Sequence, residues 1–312
     1  MSSRGPRIVA VVVTWNRREL LREALGAVTG QSAPPAAVVV VDNASDDGTP
    51  DMVAADFPGV DLVALDRNTG GAGGFAAGLD RAVRKHDPEL VWLLDDDTVP
   101  TVDALSVLVA ARAAYAAACS GIAPGLLASR AVWTDGRDHP MNTPRIRPWA
   151  GRRERAAAAR VACVPIRSAS FVSVLVAADV VRACGLPLAD YFLWNDDFEY
   201  STRLLRGRVG LYCPGSVVVH KTRTFGSTDV DPGERFYFEV RNKVWTFTRS
   251  RGLTVPEKFL YGGSTLRRWA RTYAASTDRA TLRRALRRGL ADGVRSAPRP
   301  TAAVLADAGA QR

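Results

Sequence analysis

From Arg7 to Thr14 the chain reads RIVAVVVT, an apolar, β-branched run with no polar alternation. A strand that is apolar at every position needs cover on both faces, as in a sheet flanked by helices. Similar runs follow at Ala37 to Val41, Asp61 to Leu65 and Leu90 to Leu94, and a helical stretch from Arg18 to Val28 separates the first two. Strands and helices alternating at this short spacing predict a Rossmann-like α/β fold, with a mostly parallel open sheet, right-handed crossovers and helices on both faces. Ligands of such sheets bind beyond the carboxyl ends of the strands. That gathers Thr14 to Arg17, Asp42 to Ala44, Arg67 to Gly74 and Asp95 to Asp97 on one rim.

Regularity weakens from Ala131 to Trp149, which reads as a long functional loop. Ala169 to Val176 then reads as a strand, Ala178 to Cys184 and Asp196 to Arg206 as helices, and Val209 to Cys213 with Ser216 to His220 as a hairpin broken by Pro214 and Gly215. Beyond Pro232 the pattern is helical and basic. We therefore expect a catalytic domain over 1–232, with a donor half about 7–100 and an acceptor half about 101–232. A basic helical extension over 233–312 is expected to end in disorder.

The net charge is +10, and between Arg241 and Arg299 fifteen Lys or Arg face only Glu257, Asp278 and Asp292. Such asymmetry calls for an anionic partner, either phosphate groups or a membrane surface. Leu266, Trp269 and Tyr273 share one helix face, as do Leu282, Leu286 and Leu290, with arginines opposite. These stripes suit an anionic membrane surface, or they pack on the catalytic domain. A nucleic-acid-binding module is the rival from another class. It is disfavoured, and no nucleic acid partner is expected, because no aromatic-interleaved or zinc-bearing pattern accompanies the charge. No segment offers the ~20 continuous apolar residues of a membrane span, and Ile8 to Val13 is too short for a signal-peptide core. Cys119, Cys163, Cys184 and Cys213 lack metal or redox spacing. The expectation is a cytoplasmic protein, peripheral on the inner face of the cell membrane.

Asp95, Asp96 and Asp97 end an apolar strand, and their mutual repulsion demands a cation. In an extended chain Asp95 and Asp97 point to the same side, which suits a hard divalent metal such as Mn²⁺ or Mg²⁺. The bland reading is a helix N-cap cluster. His220, one of three histidines, closes the second strand of the expected hairpin and is the candidate third ligand. Such a metal completes its shell with substrate phosphates and neutralises a leaving diphosphate. Arg67 to Phe75 holds four glycines between a strand and a helix, so Gly70 and Gly71 let backbone approach a phosphate or ribose. Asp42 can accept from a nucleobase or a ribose, or serve the turn. In Tyr191 to Tyr200 aromatic residues surround Asp196, Asp197 and Glu199, an arrangement that stacks a sugar on Trp194 and raises a carboxylate's proton affinity. A general base for an acceptor hydroxyl belongs there, with Trp194 and Glu199 as acceptor contacts.

With VVVTWNR, VVDNAS, RNTGGAGGF, WLLDDD, NDDFEY and VVVH in this order, the chain resembles the family-two glycosyltransferases of the GT-A fold over roughly residues 7 to 250. The Asn68 to Phe75 segment with the triple aspartate is most similar to the galactofuranosyltransferases of actinobacterial cell-wall galactan, especially the initiating enzyme. The resemblance implies contacts of a UDP-sugar donor with Thr14, Asn16, Arg17, Asp42, Asn68, Gly70, Gly71, Asp95 and Asp96. It implies metal ligation by Asp95, Asp97 and His220, and a catalytic base on Asp197 with Asp196 beside it. Arg235-Phe236-Tyr237 with Arg241-Asn242 resembles a feature of lipid-linked sugar transferases. The implied reaction is inverting transfer of galactofuranose from UDP-galactofuranose to a polyprenyl-diphosphate-linked oligosaccharide, and its nearest rival is rhamnosyl transfer from a dTDP sugar. Asn195-Asp196-Asp197 departs from the Glu-Asp pair of rhamnosyltransferases, which favours the galactofuranosyl reading.

Overall fold

The computed structural model describes residues 5–226 and 231–310. The first strands form as expected: β1 (Ile8–Thr14), β2 (Ala37–Asp42), β3 (Asp61–Ala64) and β4 (Leu90–Asp95) pair in parallel in the order β3-β2-β1-β4. Every β1 residue is buried, as an unalternating apolar run requires. Helices α1 (Arg18–Thr29), α2 (Thr49–Asp56) and α3 (Gly70–Arg81) make the connections. Thr14 lies opposite Asp42, and Val13 opposite Asp95, so these strands end on one line.

Past β4 the expectation of a mostly parallel sheet fails. The short β5 (Thr98–Pro100) turns back from the triple aspartate, and α4 (Ala104–Ala118) leads to β6 (Leu126–Val132). Then come the two-residue β7 (Arg145–Ile146), α5 (Arg152–Arg160), β8 (Val164–Ser168) and β9 (Ser173–Ala177). β9 inserts antiparallel between β4 and β6, so the sheet is mixed. The cause is the long excursion after β6, which brings the chain back to the rim where β9 must start rather than end. The segment expected as a strand over Ala169 to Val176 is strand only from Ser173.

After α6 (Ala178–Cys184) and α7 (Asp196–Leu204) the expected hairpin is instead one strand, β10 (Gly210–His220). Its parallel register on β6 jumps from Cys213 opposite Ser129 to Val217 opposite Arg130. Pro214 and Gly215 therefore make a bulge, which absorbs a residue lacking an N–H without reversing the chain. β10 is antiparallel to β8 and also to β5, with His220 opposite Thr98.

The basic segment forms α8 (Phe236–Thr248), α9 (Val255–Ala275), α10 (Arg279–Arg295) and α11 (Thr301–Ala306). The end expected to be disordered is helical, because Val304 and Leu305 are buried in the main core. The sequence stripes are largely consumed by packing: Trp269, Tyr273 and Leu286 lie against buried Phe236, Val240, Leu282 and Ala285. Gly289 and Gly293 let α10 approach α8 so closely that a Cβ would stand 2.8 Å from Val240 and 2.7 Å from Val244. Leu266 and Leu290 stay exposed. Among the described residues no helix is long and apolar enough to cross a membrane.

Candidate active site

The parallel strands β1, β2, β4, β6 and β10 all end on one rim, and the densest chemistry sits where β4 and β10 finish. The turn between β4 and β5 carries Asp96 and Asp97, and the backbone N–H of Lys221 donates to the Asp97 carbonyl at 2.8 Å. That bond and the β5 ladder bring the triple aspartate beside His220. The helix-cap reading fails, since α4 starts only at Ala104 with Asp103 as its N-cap.

Asp95, Asp97 and His220 each offer one ligand atom, all within 4.8 Å of one another. His220 Nε2 lies 3.0 Å from Asp97 Oδ1, within ion-pair range but not aligned for a hydrogen bond. Asp97 Oδ1 is thus a buried carboxylate oxygen with no hydrogen-bond partner. His220 Nδ1 stands 2.8 Å from Asn142 Oδ1, and the Asn142 amide is oriented by donating to Ser170 at 3.0 Å. With the proton held on Nδ1, Nε2 presents a lone pair to the carboxylates, as metal-ligating histidines do. Two hard oxygens and an imidazole nitrogen around an orphaned buried oxygen fit a divalent cation.

Electrostatics agree. Burial, reinforced by the charge of Asp97, lifts Asp95 to about 7. Burial also lifts Asp96 to about 6 against the pull of Arg17. Burial alone would lower His220, but the adjacent Asp97 and then Asp95 outweigh it and raise its affinity for a proton. A bound cation would displace that proton.

Asp96 turns away from this cluster. It accepts from the Thr14 hydroxyl at 2.9 Å, the Trp15 N–H at 3.3 Å and Arg17 at 3.0 Å. Arg17 also bonds Asp97 and so bridges the two carboxylates. Asn16 ties the first two rim loops together, donating its N–H to Ser45 and accepting from the Asp46 N–H, both at 2.9 Å. Asp42 caps its own turn through the Ser45 N–H at 3.0 Å, yet its Oδ1 is buried without a partner. Asn68 accepts from the Gly70 N–H at 2.7 Å.

A cleft of about 590 Å³ runs from Asp95 and His220 to Trp194, Asp196, Asp197, Glu239 and Lys243. The two adjacent aspartates face different ways within it. Asp196 lies toward the donor rim, where a Cβ on Gly71 would sit 3.8 Å from its Oδ2 and where the charge of Asp95 reaches it. Burial, then Asp197, raises Asp196 well above the ordinary carboxylate range. Asp197 feels Lys243, Arg145 and Glu239 on the opposite wall; burial raises it, while the Phe198 N–H and those two cations oppose the rise. Lys243 is itself buried, with Nζ 3.8 Å from the Phe198 ring centroid, and burial brings it down to about 7 despite the nearby Glu239.

The loop that delivers these aspartates is strained. Phe192, Trp194 and Asn195 all have φ between 61° and 66°, a region costing a non-glycine residue about 1–2 kcal/mol. One buried side chain holds it: the Asn242 amide donates to the carbonyls of Tyr191, Leu193 and Trp194 at 2.9, 2.9 and 2.8 Å. Arg241 adds a bond to the Asp190 carbonyl at 2.8 Å, and the Asn195 amide donates to Glu239 at 2.7 Å.

Residues 9–157 match the family described as glycosyl transferase family 2. The chain is 31% identical over 208 residues to galactofuranosyltransferase GlfT1 of Mycolicibacterium smegmatis, covering 64% of this chain and 65% of that relative. The chain is thus similar to family-2 glycosyltransferases over the first half of its length. It is also 28% identical over 263 residues to GlfT1 of Mycobacterium tuberculosis, covering 78% of this chain and 82% of that one. Its fold is shared with S. aureus TarS 1-349 (TM-score 0.59, 16% identity, 92% of this chain and 81% of that one). It is shared as well with the mannosyltransferase PcManGT from Pyrobaculum calidifontis, whose structure is a complex with GDP-Man and Mn²⁺ (TM-score 0.52, 22% identity, 99% and 81%).

Two residues expected as ligand contacts are engaged by the protein itself. Glu199 is buried away from the cleft, paired with Arg203 at 2.9 Å and accepting from Ser250 at 2.7 Å. At Gly70, with φ +69°, the missing side chain admits protein backbone: a Cβ there would lie 1.9 Å from the Phe192 carbonyl oxygen. Gly74 and Gly78 likewise admit α3 against Val13 and Val11, so of these glycines Gly71 alone lines the cleft. Conversely, α8 and α9 lie beyond the expected domain limit at 232 and yet supply Phe236, Glu239, Lys243, Arg268 and Trp269 to the cleft. Asn142, Arg145, Glu239 and Lys243 had no sequence signal of their own; the motif around Arg241 and Asn242 was the only pointer to the clamp.

Proposed function

We propose that the chain is an inverting, metal-dependent glycosyltransferase of GT-A type, moving galactofuranose from UDP-galactofuranose to a polyprenyl-diphosphate-linked saccharide in cell-wall galactan synthesis. The observation that carries it is the unpartnered, buried Asp97 oxygen in an Asp-Asp-His cluster, whose Asp95 and His220 line one cleft with a second, half-buried carboxylate, Asp197. Similarity to two proteins named galactofuranosyltransferases supports the choice of sugar.

Asp95, Asp97 and His220 would hold Mn²⁺ or Mg²⁺, which when bound neutralises the diphosphate of the donor. The unpartnered Asp42 Oδ1 supports a nucleoside contact at the end of β2, with Thr14, Asn16, Arg17 and Asn68 around it. Asp197 is assigned as the base that takes the acceptor hydroxyl proton, because it faces the wall opposite the donor rim. Asp196 stands between Asp197 and Asp95 and shapes the donor side. Trp194 offers a ring for the acceptor sugar. Attack by the hydroxyl on the anomeric carbon, with departure of UDP on the other face, needs one base and inverts configuration. We place the reaction at the cytoplasmic membrane face, with residues 1–232 and α8 together forming the catalytic unit.

The test is incubation of the purified protein and Mn²⁺ with UDP-galactofuranose, other UDP sugars and dTDP-rhamnose, using synthetic lipid-diphosphate disaccharides as acceptors. Transfer from UDP-galactofuranose with inverted anomeric configuration by NMR is expected. Consumption of dTDP-rhamnose alone, a retained configuration, or full activity in EDTA would overturn the assignment.

A further inference from the structure

Helix α9 has a solvent face that its packing does not explain. Its inner side buries Glu257, Tyr261 and Thr265. On the other side Val255, Phe259, Leu260 and Leu266 are exposed, Phe259 by 79%. At 3.6 residues per turn Val255, Phe259 and Leu266 fall within about 40° of one another, a continuous apolar stripe. Trp269 and Tyr273 continue the same face toward the C-terminal end of α9, where α8 and α10 cover it, while its N-terminal part stays open.

The charge on α9 is one-sided. Its single acidic residue, Glu257, is buried and paired with Arg167. Of its four cations, Lys258, Arg267, Arg268 and Arg271, Arg268 alone forms an ion pair among the described residues, with Glu239. Beside the stripe lies a groove of about 750 Å³, lined by Leu260, Gly263 and Ser264 and by Arg267, Arg268 and Arg271. Gly263 keeps it open, since a side chain there would enter free space. Arg268 and Thr272 line both this groove and the active-site cleft.

We propose that α9 is a docking helix for an anionic lipid bilayer. The Val255-Phe259-Leu266 stripe enters the acyl boundary, while Lys258, Arg267 and Arg271 meet lipid phosphates, the division of labour of an interfacial helix. A groove with an apolar end and three guanidinium groups fits a phosphate carried on a hydrocarbon chain. This docking does not depend on the acceptor proposed above.

Flotation with phosphatidylglycerol-containing and pure phosphatidylcholine vesicles tests this without metal or sugar nucleotide, so its failure would leave the transfer reading intact. Binding is expected to anionic vesicles only and to fade with salt. Phe259→Ser with Leu266→Ser should weaken it at least ~10-fold, since two apolar side chains lose their burial. Arg283→Gln with Arg287→Gln, on α10 whose apolar stripe is already packed, should change it by less than about 2-fold. Both pairs alter exposed residues, and matching melting temperatures would check folding. In a separate measurement Phe259→Trp should gain emission quenched by brominated lipids above the wild-type level. Unchanged binding by the serine pair, equal loss in the α10 pair, or no added quenching would overturn the proposal. So would a dimer that the serine pair dissociates in a protein with no affinity for vesicles.

Discussion

The two walls of the cleft are held by different means. On the side proposed for the donor, here the donor wall, Thr14 and Asp42 on the rim and Asp95 at the cleft occupy strand ends whose register is fixed by backbone ladders between apolar strands. On the acceptor wall, Trp194, Asp196 and Asp197 sit in and after a loop with three left-handed non-glycine residues, pinned by side chains from α8 some fifty positions away. Ladder-held geometry tolerates loss of a neighbouring side chain. A clamped loop depends on single side chains, because releasing it lets the strain relax.

That contrast can be broken first at the metal cluster. Asp97→Ala should abolish transfer, by more than ~10³-fold, and remove Mn²⁺ binding measured by calorimetry, while the β4 ladder keeps the melting temperature close to wild type. Collapse of the fold would show that the donor wall is also side-chain-held. Next, Asp197→Asn should lower kcat by at least ~10²-fold with the donor KM nearly unchanged, since only proton removal is lost. If Asp196→Asn is the more damaging in kcat, the base is Asp196.

Asn242→Ala should lower kcat/KM for the acceptor by roughly 10-fold or more and reduce stability by about 1–3 kcal/mol, because three carbonyls lose a buried donor. Donor affinity, read by UDP titration, should stay within about 2-fold, since the donor wall has its own supports. Equal loss of donor and acceptor affinity would erase the distinction between the walls.

The smallest effect concerns Lys243, whose amine is brought by burial down to about 7 from its ordinary 10.5. The unfolded chain binds this proton more tightly, so the residue's penalty is full below pH 7 and disappears as pH rises toward 10.5. Thermal melts of the wild type and Lys243→Met should therefore differ most at pH 6 and converge toward pH 10. A difference independent of pH would mean that the amine keeps its ordinary affinity.

The donor wall was legible in the sequence for the same reason that it is robust. RIVAVVVT and WLLDDD carry local periodicity that fixes strands and puts the aspartates at their ends, and His220 closes an apolar run. The acceptor wall was only half legible. Tyr191 to Tyr200 announces itself by composition, but Glu239, Lys243 and Asn242 look like any polar positions of an amphipathic helix. Their roles arise from contacts that no local pattern encodes. The Pro214-Gly215 pair misled because the same two residues serve a turn or a bulge, and the choice rests on β6, more than eighty positions away. The glycines of α3 were ambiguous for a related reason: a phosphate-cradling pattern and a close helix-on-sheet contact, as at Gly74 and Gly78, draw on the same missing side chain.

The place of β9 in the sheet sets a timetable for the growing chain. β6 is synthesised before β9 but cannot join β4 until β9 lies between them. On the ribosome, β3-β2-β1-β4 can close as a unit with Asp95 and Asp97 at its margin, leaving the open side of β4 as an unpaired edge. That edge stays exposed until Ala177 has emerged, and the carboxylates lack their histidine until residue 220 follows. A chain interrupted before Ala177 would carry a folded half-sheet, a sticky border and two acidic groups without their imidazole neighbour.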